Sequence, residues 1–135
     1  MSSNQLIYKE ESFKIIGAAM AVHRWLGCGF SEKVYQDALE QEFIAQNIPY
    51  SRETSIHAKY KGVTLKTEFV PDFICYDKII VELKAQKELE DQHRSQTINY
   101  VKIADFQLGL LINFGAPSLE HERMLNVQYH NSFNS

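Results

Sequence analysis

Three charged residues interrupt apolar, strand-like runs: Asp72 in Val70-Pro71-Asp72-Phe73, and Glu82 and Lys84 at the end of Lys78-Ile79-Ile80-Val81-Glu82-Leu83-Lys84. A charge inside such a run is costly to bury unless it is paired or binds a metal. Strand alternation places Glu82 and Lys84 on one face and Leu83 on the other. Two carboxylates from neighbouring strands, with a lysine beside them, could hold a divalent cation and a water. That is the apparatus of metal-assisted phosphodiester hydrolysis.

Whether the two acids meet depends on the turn between their strands. A loop of Tyr76-Asp77-Lys78 pairs Cys75 with Ile79 and sets Asp72 opposite Glu82, close enough for one ion to bridge them. A two-residue loop at Asp77-Lys78 pairs Asp72 with Leu83 instead and sends the acids to opposite faces. A bulge near Pro71 could restore the match. The bland alternative is that Asp72 ends a strand while Glu82 forms a salt bridge with Lys84.

Two helices offer further polar groups. Glu32, Tyr35 and Leu39 share a helix face; if that face packs on a sheet, Glu32 points inward and needs a partner. Otherwise Glu32 is an exposed first-turn acid favoured by the helix dipole. Gln96 and Tyr100 stack four residues apart, with His93 one turn earlier, where they could reach a phosphate, a base or the lysine. Tyr100 could equally be a core aromatic with its hydroxyl at the rim.

The elements that must position these groups follow from hydrophobic period and breakers. Residues 11–26 read as a helix with Phe13, Ile16, Met20 and Leu26 at helical spacing, broken by Gly27-Cys28-Gly29. Ser31 can cap a second helix towards Ala45, closed by Asn47-Ile48-Pro49. Strands are expected at 53–60, 63–75 and 78–85, with a turn at Lys61-Gly62. A helix at 89–104, a doubly buried strand at 107–114 and a short helix at 119–125 complete the order. The fold class is α/β (α+β), a mixed sheet flanked by helices in the order α-α-β-β-β-α-β-α. Residues 1–126 form one domain and 127–135 a flexible polar tail.

With 135 residues, 44% hydrophobic and 23% charged, the composition is that of an ordinary globular domain. The longest uncharged apolar stretch, 15–22, is too short to cross a bilayer. Cys28 and Cys75 lie far apart without ligand spacing and read as reduced thiols of a cytoplasmic protein. The histidines show no paired spacing for zinc, and no phosphate-binding glycine loop or serine elbow is present. The net charge of −3 is not that of a strong nucleic-acid binder. Its positive residues are uneven, however: Arg52, Lys59, Lys61 and Lys66 gather around one hairpin, as a phosphate-contacting strip or as a solvated face.

Several motifs in fixed order resemble one family. Gly29-Phe30-Ser31-Glu32-Lys33-Val34-Tyr35 is similar to the GxxExxY motif of small bacterial proteins assigned to the PD-(D/E)XK nuclease superfamily. Pro71-Asp72 followed by Glu82-Leu83-Lys84 resembles that superfamily's own motif. Gln96-Thr97-Ile98-Asn99-Tyr100 resembles the QxxxY motif of its RecB-like branch, and Leu110 to Gly115 its late strand. The resemblance covers residues 10–126 and implies a restriction-endonuclease-like core.

It also implies roles. Asp72 and Glu82 bind Mg²⁺ or Mn²⁺ together with the backbone carbonyl of Leu83, Glu32 completes the metal site, and Lys84 positions the attacking water. Gln96 and Tyr100 orient the site or touch substrate. The expected function is a metal-dependent nuclease acting on nucleic acid, DNA foremost, without membrane association. The rival is a non-enzymatic nuclease-fold module that binds nucleic acid or a protein partner. A homodimer would suit either.

Overall fold

A computed structural model describes residues 7–127. Helix α1 (Lys9–Leu26) begins after Tyr8, which adopts φ 52°, and stops at Gly27, whose φ of 70° suits glycine. Its buried face is Ser12, Ile15, Ala18, Ala19 and Val22. This corrects the expected face: Phe13 is 79% exposed and Met20 41%. The helix is apolar nearly all round, and the small residues turn inward because they allow close approach to the layer beneath.

Helix α2 (Glu32–Ala45) buries Tyr35, Gln36, Leu39 and Phe43. Ser31 holds the N-cap position, but through its carbonyl, which accepts from the amides of Val34 and Tyr35; its side chain makes no capping bond. The helix closes at Asn47 (φ 57°), with the Ile48 amide donating to the Phe43 carbonyl.

Among the described residues seven strands follow: β1 (Tyr50–Arg52), β2 (Lys59–Tyr60), β3 (Val63–Thr64), β4 (Phe73–Cys75), β5 (Ile79–Lys84) and, beyond helix α3 (Asp91–Ala104), β6 (Leu108–Asn113) and β7 (Glu120–Leu125). Five of them form a mixed sheet ordered β1-β4-β5-β6-β7. The β5–β6 pair is parallel and the others antiparallel. Helices α1 and α2 cover one face, packing on Phe73, Cys75, Val81, Leu83, Leu110 and Ile112. Helix α3 covers the other, packing its Val101 on Ile74 and Ile80. Gly109 makes that second contact possible, since a Cβ there would stand 2.5 Å from Val101 Cγ2.

Three expected elements differ, the first being the strand expected at 63–75, which is broken into β3 in the hairpin and β4 in the main sheet, with the isolated Phe69 bridge between them. The strand expected at 53–60 is interrupted because Glu53 turns left-handed at φ 55°. The chain then leaves the main sheet as an arm, joined by the Ile56–Phe69 bridge and ending in the β2–β3 hairpin. The residues expected as a helix at 119–125 instead form edge strand β7. Strand β6 is buried along its whole length and needs main-chain partners on both sides, which overrides local preference. The polar tail expected from 127 lies, past Val127, outside the described residues. Among the described residues no helix is long and apolar enough to cross a membrane.

Candidate active site

The β4–β5 turn decides the site. Tyr76 and Asp77 both take φ 56°, and the Lys78 amide donates to the Cys75 carbonyl at 3.1 Å. Three residues are thereby spent in the loop, and Cys75 pairs with Ile79, Ile74 with Ile80 and Phe73 with Val81. One step beyond the last rung, Asp72 faces Glu82. The Asp72 amide donates to Glu82 Oε1 and the Leu83 amide donates to Asp72 Oδ2, each at 2.8 Å. Alternation carries Glu82 and Lys84 to the α3 side with Ile80.

Glu82 is buried, at 4% exposure. Burial, then the neighbouring Asp72 charge, push its carboxyl up to about 8, against the Asp72 amide and Lys84. Burial likewise raises Asp72, opposed by its bond from the Leu83 amide, while the Glu32 charge adds to the rise. Two adjacent acids, Glu82 buried and Asp72 half-buried, offering oxygen donors only, suit a hard divalent cation such as Mg²⁺ or Mn²⁺.

Lys84 stands beside them. Its ammonium donates to Gln96 Oε1 at 2.8 Å, and the Gln96 amide donates to the Tyr100 hydroxyl at 3.4 Å. Tyr100 is half-buried, and burial and the Glu82 charge raise its phenol. His93 does not join this row: its Nδ1 accepts from the Glu90 amide at the start of α3.

Glu32 lies in the exposed first turn of α2, near enough for its charge to bear on both acids. Among the described residues no three His, Cys, Asp or Glu side chains form a ready-made metal cluster. The loop before Glu32 is tied down by Tyr35, whose hydroxyl donates to the Gly27 carbonyl (2.6 Å) and accepts from the Phe30 amide (3.3 Å). The Tyr35 ring stacks on Phe114 with centroids 4.7 Å apart.

The basic strip divides. Arg52 is held within the protein by Asp37 (2.7 Å), Glu40 (2.9 Å) and Gln36 Oε1 (2.9 Å). Lys59, Lys61 and Lys66 are exposed on the arm.

Two residues escaped the sequence reading. Gln36, 4% exposed, donates to Asp72 Oδ1 at 3.4 Å while accepting from Arg52. A polar residue directly after Tyr35, on the inward side of α2, was the available signal. Asn113 is fully buried at the end of β6. It accepts from the amides of Gln86 and Gly115 and donates to the carbonyl of Gln86 and to Glu120, fixing the chain just after Lys84. The polar end of an otherwise apolar strand was its signal. The hollows flanking α1, of about 670 and 430 Å³, are lined by none of these residues.

No curated protein matches the chain in a sequence search. Among solved structures it is similar to the crystal structure of SSO0001, with a TM-score of 0.57 and 16% identity over 70% of this chain and 49% of that one. At that identity the likeness is one of fold, a restriction-endonuclease-like core with a five-stranded mixed sheet. The chain thus spans about half of that protein's length. A family model matches residues 9–130, a span that includes the Asp72–Glu82–Lys84 constellation and all three flanking helices, and with it the chain belongs to the PD-(D/E)XK nuclease superfamily.

Proposed function

We propose that the protein is a metal-dependent nuclease of the cytoplasm that hydrolyses phosphodiester bonds in nucleic acid, DNA foremost. The observation that carries this reading is the adjacent Asp72–Glu82 pair, Glu82 buried and Asp72 half-buried, with Lys84 held beside it by Gln96. Within the superfamily, Gly29, Glu32 and Tyr35 support a GxxExxY assignment, and Gln96 with Tyr100 a RecB-like one.

Asp72, Glu82 and the Leu83 carbonyl would hold Mg²⁺ or Mn²⁺, with Glu32 as a further carboxylate. The bound cation supplies Lewis-acid polarisation of the phosphate and a lowered pKa of coordinated water. Lys84 orients the attacking water and offsets charge that develops on the phosphate. Gln96 fixes the ammonium and Tyr100 fixes Gln96, so both orient the site. Lys59, Lys61 and Lys66 contact the phosphate backbone, and a homodimer would bring two such strips to one duplex.

Calorimetry with Mn²⁺ should show a site in the wild type that vanishes in Asp72→Ala. A cleavage panel over single-stranded, double-stranded, nicked and branched substrates should show hydrolysis that depends on the same residue. The net charge of −3, with Arg52 neutralised internally, favours one rival: a non-enzymatic module that binds nucleic acid or a protein partner. Metal-independent binding without cleavage would establish the rival.

A further inference from the structure

The arm between β1 and β4 leaves and rejoins the sheet at the end where Asp72 sits. Its base is set by the Glu53 amide donating to the Asp72 carbonyl (3.1 Å) and by the paired main chains of Ile56 and Phe69. The Phe69 ring meets Tyr100 edge-on at 6.2 Å, so the arm is anchored against the candidate site itself. Beyond that anchor it projects as a two-stranded hairpin outside the main sheet. Its turn is tight, with Lys61 at φ 49° and Gly62 at φ 81°.

The arm's composition runs against that of the rest of the chain. Outward of the Ile56–Phe69 bridge, Lys59, Lys61 and Lys66 stand against a single acid, Glu68, so this stretch is net positive in a protein of charge −3. It also carries Tyr60, 60% exposed, and opposite it Val63, 63% exposed. The Lys61 ammonium lies 5.4 Å from the Tyr60 ring centroid. An exposed aromatic flanked by cations matches a nucleobase with its phosphates, because every base has a π-face and stacking tolerates any sequence. Stacking on Tyr60 needs a base released from its pair, since bases within a duplex already stack on one another.

We propose that the β2–β3 arm is a single-strand-binding element, in which Tyr60 stacks a base and Lys59 and Lys61 engage the adjoining phosphates, leading an unpaired strand towards Asp72 and Glu82. The proposal rests on the nuclease reading and names its substrate class: single-stranded nucleic acid, or the frayed strand of a branched one. It also accounts for recognition by a chain of net charge −3, because stacking contributes affinity that salt does not screen.

Binding of the full-length protein to labelled oligothymidylate, oligouridylate and a matched DNA duplex, in EDTA across a salt series, tests it. The wild type should prefer a single strand, and the two oligonucleotides report DNA against RNA. Tyr60→Ala should weaken single-strand binding roughly 5- to 150-fold and leave duplex binding and thermal melting unchanged. Tyr60→Phe should restore it, and Lys61→Ala should lower the salt slope by about one contact. Wild-type affinity in Tyr60→Ala, or equal losses on single strand and duplex, overturns the proposal. So does a Tyr60-dependent dimer in sedimentation without strand binding, which would assign the arm to a second copy. A wild type that cleaves duplex with Mn²⁺ yet shows no Tyr60-dependent preference removes the arm's role and leaves the nuclease reading standing. A wild type that neither binds strands nor cleaves removes both.

Discussion

Asp72 and Glu82 are joined across the β4–β5 hairpin: the Asp72 amide donates to Glu82 Oε1, while the Asp72 carboxylate accepts through Oδ2 from the amide of Leu83, the residue after Glu82. Each carboxylate thus completes a main-chain rung that the strand ladder lacks beyond Phe73 and Val81. The acids are positioned by backbone, so removing a charge need not dismantle the pair.

The first consequence is a pH-dependent stability. Folding raises Glu82 from 4.5 to about 8 and raises Asp72 as well, so the metal-free folded chain holds more protons than the unfolded one across that interval. This contribution is fully present below the unfolded value and is lost as pH rises through the folded one. Denaturation midpoints in EDTA should therefore fall with pH across the window. Glu82→Gln should flatten the slope and gain about 1–3 kcal/mol at its upper end. Millimolar Mg²⁺ or Mn²⁺ should stabilise the wild type most where both acids are ionised. Melts that ignore both pH and metal would remove the buried-pair account.

Lys84→Ala should lower the single-turnover cleavage rate by about 10²- to 10³-fold while leaving Mn²⁺ binding and the melt nearly unchanged, because the ammonium stabilises developing charge without ligating. Lys84→Arg should recover only part of the rate, since a planar guanidinium does not replace a point charge. Full activity in Lys84→Ala would make the lysine structural.

Gln36 links Arg52 to Asp72, and Gln36→Leu should cost about 1–3 kcal/mol by removing two part-buried hydrogen bonds that involve charged groups. If it also aligns Asp72, Mn²⁺ affinity should drop beyond what a surface variant of matched stability shows. Isothermal titration beside a denaturation curve separates the two effects.

Tyr35→Phe keeps the ring on Phe114 and removes the hydroxyl shared by Gly27 and Phe30. A loss of about 0.5–1.5 kcal/mol is expected, with reduced cleavage because the turn that presents Glu32 is released. Unchanged cleavage at lowered stability would confine Tyr35 to the core.

The candidate site was legible in the sequence where its geometry left a local mark. The alternation around Glu82 and Lys84 showed their common face, and the spacing of Gln96 and Tyr100 showed theirs. The register of Asp72 against Glu82 stayed open between two turns, because it depends on the left-handed backbone of Tyr76 and Asp77, residues that do not demand that conformation. Strand β7 was hidden for a different reason: the pull of β6 for a partner is a tertiary demand. The inward face of α1 was ambiguous because apolar residues surround that helix, and packing chose the alanines over Phe13. Arg52 looked available because Asp37 and Glu40, the acids that hold it in strand β1, come from helix α2.

The turn at Tyr76-Asp77-Lys78 lies at the far end of the hairpin from the carboxylates, yet it works as a counting device for them. Exposed turns ordinarily absorb an inserted or deleted residue with little harm. Here a change of one residue would slide β4 along the centrally fixed β5, set Asp72 opposite Leu83 or Val81, and send its carboxylate through to the α1–α2 side. The hairpin can thus accept new residue types at its tip far more readily than a new length. A single-codon deletion there would disarm the protein while leaving every candidate site residue in the sequence.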